Sequence, residues 1–216
     1  MYSKVVAYNY LFHQEIYADI TQVLGKIHHS FSLLDLGCGD ATCLAPVLAK
    51  LPVISYCGVD LSPAALELAK QNLSVLPCTV EFCHTDLLQA LRNINQRYDV
   101  IFSSFAVHHL SFGEKTEFFQ LAIQHLNKDG ILLLVDAVRE ESEDLPTYLN
   151  AYCDQVHNQW HHIDLEEKEF ICRHVTTDDF AETASTLQMM AVQAGFSSCQ
   201  KVSKYSMNQV FCFKVD

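Results

Sequence analysis

The sequence predicts an α/β protein built on a parallel, doubly wound sheet within a single domain, residues 1–216. Three observations predict it. Short apolar runs alternate along the chain with longer segments whose apolar residues recur at three- and four-residue spacing. The runs are apolar throughout rather than at every second position, so both faces of the sheet must be covered by helices. The 216 residues, half of them hydrophobic, suffice for one ordinary core, and only 7 glycines and 5 prolines leave no room for collagen-like or low-complexity structure.

Residues 3–29 read as one helical lead-in, with Val5, Val6, Tyr10, Leu11, Ile16, Ile20, Val23 and Leu24 at helical spacing; 1–29 is then an N-terminal helical cap. FSLLDLGCG is a buried strand ending in glycines, followed by a helix over DATCLAPVLAKL with Asp40 as N-cap and Pro46 delaying or kinking it. ISYCGVD is the second strand; Ser62 caps the next helix, with Pro63 in its first turn. CTVEFCH, YDVIFSSF and GILLLVDAV are further strands, and DLLQALRNI and FGEKTEFFQLAIQHL are the helices between them. Residues 139–175, polar and rich in Glu, Asp and His, break the rhythm and read as an inserted lid. Asp178 and Asp179 precede the helix FAETASTLQMMAVQAG, which Gly195 ends, and two antiparallel strands close the chain.

Charge and cysteine usage narrow the partners. Lys and Arg number 14 against 26 Asp and Glu, a formal net charge of −12, so a phosphate backbone is repelled and a nucleic-acid substrate is disfavoured. The 9 cysteines are odd in number and form no C-x-x-C pair, which suits buried free thiols in a reducing cytoplasm better than a disulfide framework or a zinc site. No apolar run reaches about 18 residues, so no membrane span is expected, and the N-terminal segment, with Glu15 and Asp19, lacks the character of a secretory signal.

LLDLGCGDA, residues 33–41, carries the chemistry. An apolar strand ends in Asp35, and Gly37 and Gly39 let the backbone turn sharply and approach a ligand. The second strand ends in Asp60, placed to accept hydrogen bonds from ribose hydroxyls at a topological switch point. The dinucleotide pattern G-x-G-x-x-G is broken by Thr42. Asp35 and Asp40 would repel a pyrophosphate but not a ligand carrying an ammonium and a sulfonium, so the charges favour S-adenosylmethionine over a nicotinamide dinucleotide.

DLGCGDA resembles the acid-x-G-x-G-x-G motif of the class I S-adenosylmethionine-dependent methyltransferases, with Ala41 in place of the third glycine. GVDLS, HTDLL, YDVIFSSFAVHHL and LNKDGILLLVD are similar, in order, to the family's later segments, over roughly residues 30–138. The resemblance implies a Rossmann-like seven-stranded sheet of order 3-2-1-4-5-7-6 with strand 7 antiparallel. It implies that Gly37, Cys38 and Gly39 line the methionine and ribose portion, that Asp35 and Ser104 order the amino group, and that Asp60 holds the ribose beside Leu61. It places Asp86 and Leu87 at the adenine, with a helix-cap role as the lesser alternative for Asp60 and Asp86, and a helix carrying Tyr8, Tyr10, Phe12 and His13 over the cofactor.

The expected function is methyl transfer to a small-molecule acceptor by in-line displacement, with a tRNA-modifying enzyme or a binding-only member of the fold as alternatives. Alignment and exclusion of water are then the main tasks, and a general base is needed only for a protonated nucleophile. His108 and His109, after the fourth strand, are the catalytic candidates, against a packing role. In the insert, Asp154, His157 and His161 would share a helical face; lining the acceptor pocket beside Trp160 is the preferred reading, and no metal is expected.

Overall fold

The structure is a computed structural model that describes residues 2–216. Its strands are β1 (Phe31–Leu36), β2 (Val53–Asp60), β3 (Thr79–His84), β4 (Tyr98–Ser104), β5 (Leu126–Arg139), β6 (Glu182–Thr183), β7 (Ser198–Tyr205) and β8 (Asn208–Lys214). Seven of them lie in the order β3-β2-β1-β4-β5-β8-β7, and the two-residue β6 pairs with the end of β5. β8 runs antiparallel to β5 and to β7, while β1 to β5 are mutually parallel where they pair. This is the seven-stranded order expected from the sequence, with the last strand in the chain inserted antiparallel.

The helices are α1 (Tyr2–Ala7), α2 (His13–Leu24), α3 (Ala45–Leu48), α4 (Pro63–Asn72), α5 (Leu87–Asn93), α6 (Phe112–Gln124), α7 (Leu145–Gln159), α8 (Leu165–Asp178) and α9 (Ala184–Ala194). Successive strand residues face opposite sides of the sheet, so Leu33 and Phe102 enter one core while Leu34 and Ile101 enter the other. Ile16, Ile20 and Leu24 of α2, with Leu66 and Ala69 of α4, cover the first face. Leu91 of α5, Phe118 and Phe119 of α6, and Leu187 and Met190 of α9 cover the second. Apolar strands without alternation are thus explained by helices on both sides.

Four sequence expectations are corrected. The lead-in is not one helix: Asn9 and Phe12 have φ of 54° and 60°, and Asn9, a residue that tolerates this conformation, accepts a hydrogen bond from Gln14 N at 2.9 Å. Asp40 does not cap a helix; its Oδ1 accepts from Thr42 N at 2.9 Å in a tight turn, and α3 starts only at Ala45, with Pro46 in its first turn. The last helix begins at Ala184 under a Thr183 cap rather than at Phe180, because Glu182 and Thr183 pair with β5 first. His161 lies beyond the end of α7 and is exposed, so Asp154, His157 and His161 share no continuous helical face.

The insert is a helical hairpin. Asp144 caps α7 by accepting from Thr147 N at 2.9 Å, and Asp164 caps α8 in a reciprocal arrangement with Glu167. Val156, Trp160, Ile171 and Val175 form a small core of their own, into which Val5 of α1 is inserted with Tyr10 and Leu11. Helix α1 and the insert therefore make one unit. Lys4 on α1 reaches Glu167 on α8 at 2.7 Å.

Candidate functional site

A cleft of about 340 Å³ opens at the carboxyl ends of β1, β2 and β4. It sits where strand order reverses on either side of β1, the place where open α/β sheets bind ligands. Gly37 and Gly39 have φ of 78° and 53°. A Cβ on Gly37 would stand 2.6 Å from the Cβ of Ala106, so the turn requires glycine both for its conformation and for room. Asp60 Oδ2 accepts from Gly39 N and its Oδ1 from Ser62 N, each at 2.8 Å. The carboxylate thus ties the glycine turn to the end of β2 and keeps lone pairs for further donors.

Asp35 is buried at 2% exposure and accepts from Tyr56 Oη at 2.7 Å. Burial pushes its pKa up to about 7, the Tyr56 hydrogen bond opposes this, and the charge of Asp60 adds to it. Among the other expected residues, Cys38, Leu61, Leu87 and Ser104 line the cleft. Asp86 does not: its Oδ1 caps α5 by accepting from Gln89 N at 2.8 Å, and its neighbours Thr85 and Leu87 reach the cleft instead. His13 is buried against Phe105 and Tyr17, with ring centroids 5.4 and 6.5 Å away, and lines neither cavity; burial lowers its pKa to about 4. Tyr17, one turn along α2, takes the expected place and approaches Ser104 Oγ at 3.4 Å. The spacing i, i+4 from His13 is the only trace of it in the sequence.

A second chamber, of about 280 Å³, lies behind the first. Val5 and Leu11 of the N-terminal segment, Tyr152 and Trp160 of α7 and its end, Ile171 and Val175 of α8, and Asn208 of β8 line it. Phe105 and His109 line both cavities, so they stand at the junction.

His108 and His109 differ in setting. His108 is buried, and its Nδ1 meets Asp136 Oδ1 at 2.5 Å. His109 is partly exposed, and its Nδ1 lies 3.2 Å from both Asp178 O and Asp179 Oδ1. A carbonyl only accepts, so the Asp178 contact puts a proton on Nδ1 and leaves the Nε2 lone pair available. Burial pulls the His109 pKa down, but the Asp179 carboxylate, the Asp178 carbonyl and the charge of Asp136 outweigh it and hold the pKa above the ordinary value. Phe180 N donates to His108 O at 2.8 Å, and the buried Lys115 ammonium donates to the carbonyls of Leu110 and Phe180. These bonds lock the segment after β4 to the one that carries Asp179. His108, His109 and Asp179 offer ligand atoms within 4.8 Å of one another, near enough to share a cation, but a proton on Nδ1 closes that atom of His109 to a metal. The roles of Asp136 and Asp179 escaped sequence reasoning. An acid ending the apolar run LLLVD was a usable sign for Asp136; no sign pointed to Asp179.

The comparisons point to methyltransferases. Residues 34–132 match a family model described as a methyltransferase domain. The ribosomal protein L11 methyltransferase of Thermosipho africanus is 31% identical over 118 residues, 55% of this chain and 41% of that protein. The release factor glutamine methyltransferase of Koribacter versatilis is 39% identical over 75 residues, 34% of this chain and 26% of that one. The match therefore spans less than half the length of either curated relative. Among solved structures, the magnesium protoporphyrin IX methyltransferase of Synechocystis with bound S-adenosylhomocysteine superposes with a TM-score of 0.65 at 15% identity, over 94% of this chain and 83% of that one. An O-methyltransferase family protein of Burkholderia thailandensis does so with a TM-score of 0.64 at 16% identity, over 95% and 58%. At such identities the likeness speaks for the fold. Residues 34–132 thus match a methyltransferase domain, and the sheet around them has the order expected of the class I S-adenosylmethionine-dependent methyltransferase fold.

Proposed function

We propose that this protein transfers a methyl group from S-adenosylmethionine to a small-molecule acceptor. The observation that carries this reading is the pair of cavities meeting at Phe105 and His109: an acid- and glycine-lined cleft opening on an apolar chamber roofed by the insert. S-adenosylmethionine, when bound, supplies a methyl group already activated by its positive sulfur. Asp60 takes the ribose hydroxyls, Asp35 and Ser104 the amino group, and Leu61 and Leu87 flank the adenine, with Asp86 behind Leu87 in its capping role. The backbone of Gly37, Cys38 and Gly39 forms the floor. Tyr17 covers Ser104 from α2. The remaining work is alignment and exclusion of water, which suits a chamber closed by a separate helical unit.

No helix among the described residues is long and apolar enough to cross a membrane. Its nine free cysteines suit a reducing compartment, and we place the enzyme in the cytoplasm. Calorimetry with S-adenosylhomocysteine tests the cofactor assignment: one-site binding in the micromolar range is expected, and no heat at millimolar ligand defeats the reading. Incubation with a labelled methyl donor and a fractionated extract tests the acceptor. Label is expected in the small-molecule fraction. Label confined to tRNA or protein would move the assignment to a macromolecular substrate, and binding without any product would make the chain a binding-only member of the family.

A further inference from the structure

Resting on that reading, we propose that the inner chamber takes a neutral, flat, largely apolar acceptor with one weakly acidic hydroxyl, and that Asp179 positions His109 to receive the hydroxyl proton.

The chemistry of the walls sets the class. Val5, Leu11, Tyr152, Trp160, Ile171 and Val175 present hydrocarbon and aromatic surface. Trp160 is held flat by Tyr10, ring centroids 4.9 Å apart and planes 7° off parallel. That rigid face suits a planar ring better than a flexible chain. Among the described residues no Lys or Arg lines the chamber, while Asp179, 6% exposed, does. Its histidines are each already set against an acid, His108 against Asp136, His109 against Asp179 and His174 against Asp178, so a carboxylate or phosphate acceptor would find no unpaired positive charge there. A cationic acceptor would lie beside the positive sulfur of the cofactor and shed its water into an apolar space. A neutral molecule is left.

The polar groups set the reacting atom. Asp179 Oδ1 lies 3.2 Å from His109 Nδ1 and raises the ring's proton affinity through hydrogen bonding and charge. The groups facing His109 are His108 beside it, Asp136 on β5, and His174, Asp178 and Asp179 on α8 and its end. The carboxylates favour an imidazolium at this spot, as a base that must accept a proton requires. In the step itself, the acceptor oxygen bonds to the methyl carbon as the methyl–sulfur bond breaks and its electron pair stays on sulfur. The O–H bond breaks and its proton passes to His109 Nε2, so the positive charge moves from sulfur to the imidazole. Asn208 adds selectivity: its Nδ2 donates to Leu11 O at 3.2 Å, and its buried Oδ1 has no partner. A second donor on the acceptor ring would satisfy it.

The test uses Trp160, the chain's only tryptophan, as reporter, on protein already shown by calorimetry to be loaded with S-adenosylhomocysteine. Para-nitrophenol is added at a pH where its free form stays protonated, and para-nitrobenzoate is the anionic counterpart. Saturable quenching of Trp160 emission by the phenol is expected, with at least tenfold weaker binding of the benzoate. The bound phenol should show the long-wavelength absorption of its phenolate in the wild type. That band should vanish in His109→Ala and weaken in Asp179→Asn. With the methyl donor present, para-nitroanisole should form in the wild type. Equal binding of the benzoate, or an unchanged phenolate band in both variants, overturns the proposal. Failure of the homocysteine ligand to bind at the outset would instead defeat the methyltransferase reading, so the two failures are told apart.

Discussion

The cofactor cleft and the inner chamber are built in opposite ways. The cleft is made of backbone: a glycine turn held by Asp60 at the edge of the central sheet, from residues close in sequence to strand ends. The chamber is made of side chains drawn from Val5 to Asn208, many of them from the small core of the N-terminal segment and the insert, with Phe105, His109 and Asn208 closing it from the sheet side. The first kind of site is rigid because the sheet cannot move without breaking its ladder. The second is only as ordered as the insert that roofs it. The contrast separates a part that must serve one ligand from a part that can be reshaped for another acceptor without touching the sheet.

Substitutions should split the two sites cleanly. Trp160→Ala removes the largest side chain of the insert core and should cost that unit about 3–5 kcal/mol. Acceptor methylation should collapse while calorimetry finds S-adenosylhomocysteine affinity within about twofold of wild type, since no cleft residue is touched. Gly37→Val is the converse. Strain at positive φ and the clash with Ala106 should cost about 3 kcal/mol, roughly 100-fold in cofactor affinity, with Trp160 emission unchanged. Asp60→Ala should follow at about 2 kcal/mol, read by the same titration, because the lost carboxylate serves both the turn and the ribose.

Asp35 should give the cleft a pH dependence of its own. Its pKa of about 7 lies above that of the unfolded chain, so this group's contribution to apo stability is fullest at acid pH and is lost as pH rises toward 7. The cofactor ammonium favours the ionised form, so binding should strengthen as pH rises to 7, by up to about tenfold per unit, and level off above it. Asp35→Asn should flatten that profile in calorimetry run across pH. The smallest effect is expected at the surface pair of Lys4 and Glu167 between α1 and α8. Lys4→Ala should change the acceptor KM by less than about twofold, and the difference should fade at high salt.

Legibility followed the same divide. Each expected residue that lines the cleft sits on a local pattern: apolar strand, acid, glycines, then a capped helix. Where two local roles competed, the helix cap claimed Asp86, and Tyr17 rather than His13 faces Ser104 from α2. The pair of histidines was visible, but not which one stands at the junction. That depends on Asp136 gripping His108 from a neighbouring strand and on the backbone bond from Phe180 that brings Asp179 to His109.

From the linear chain alone come the doubly wound sheet, its helices on both faces and the carboxylate-flanked glycine turn, because burial pattern and backbone conformation are dictated by residues near one another. Packing alone decided that α1 and the hairpin share a core, that among the described residues no Lys or Arg lines the inner chamber, and that His109 has a buried acid at its back. Those features join residues up to about two hundred positions apart, and no local preference encodes a contact made only when distant elements close on each other.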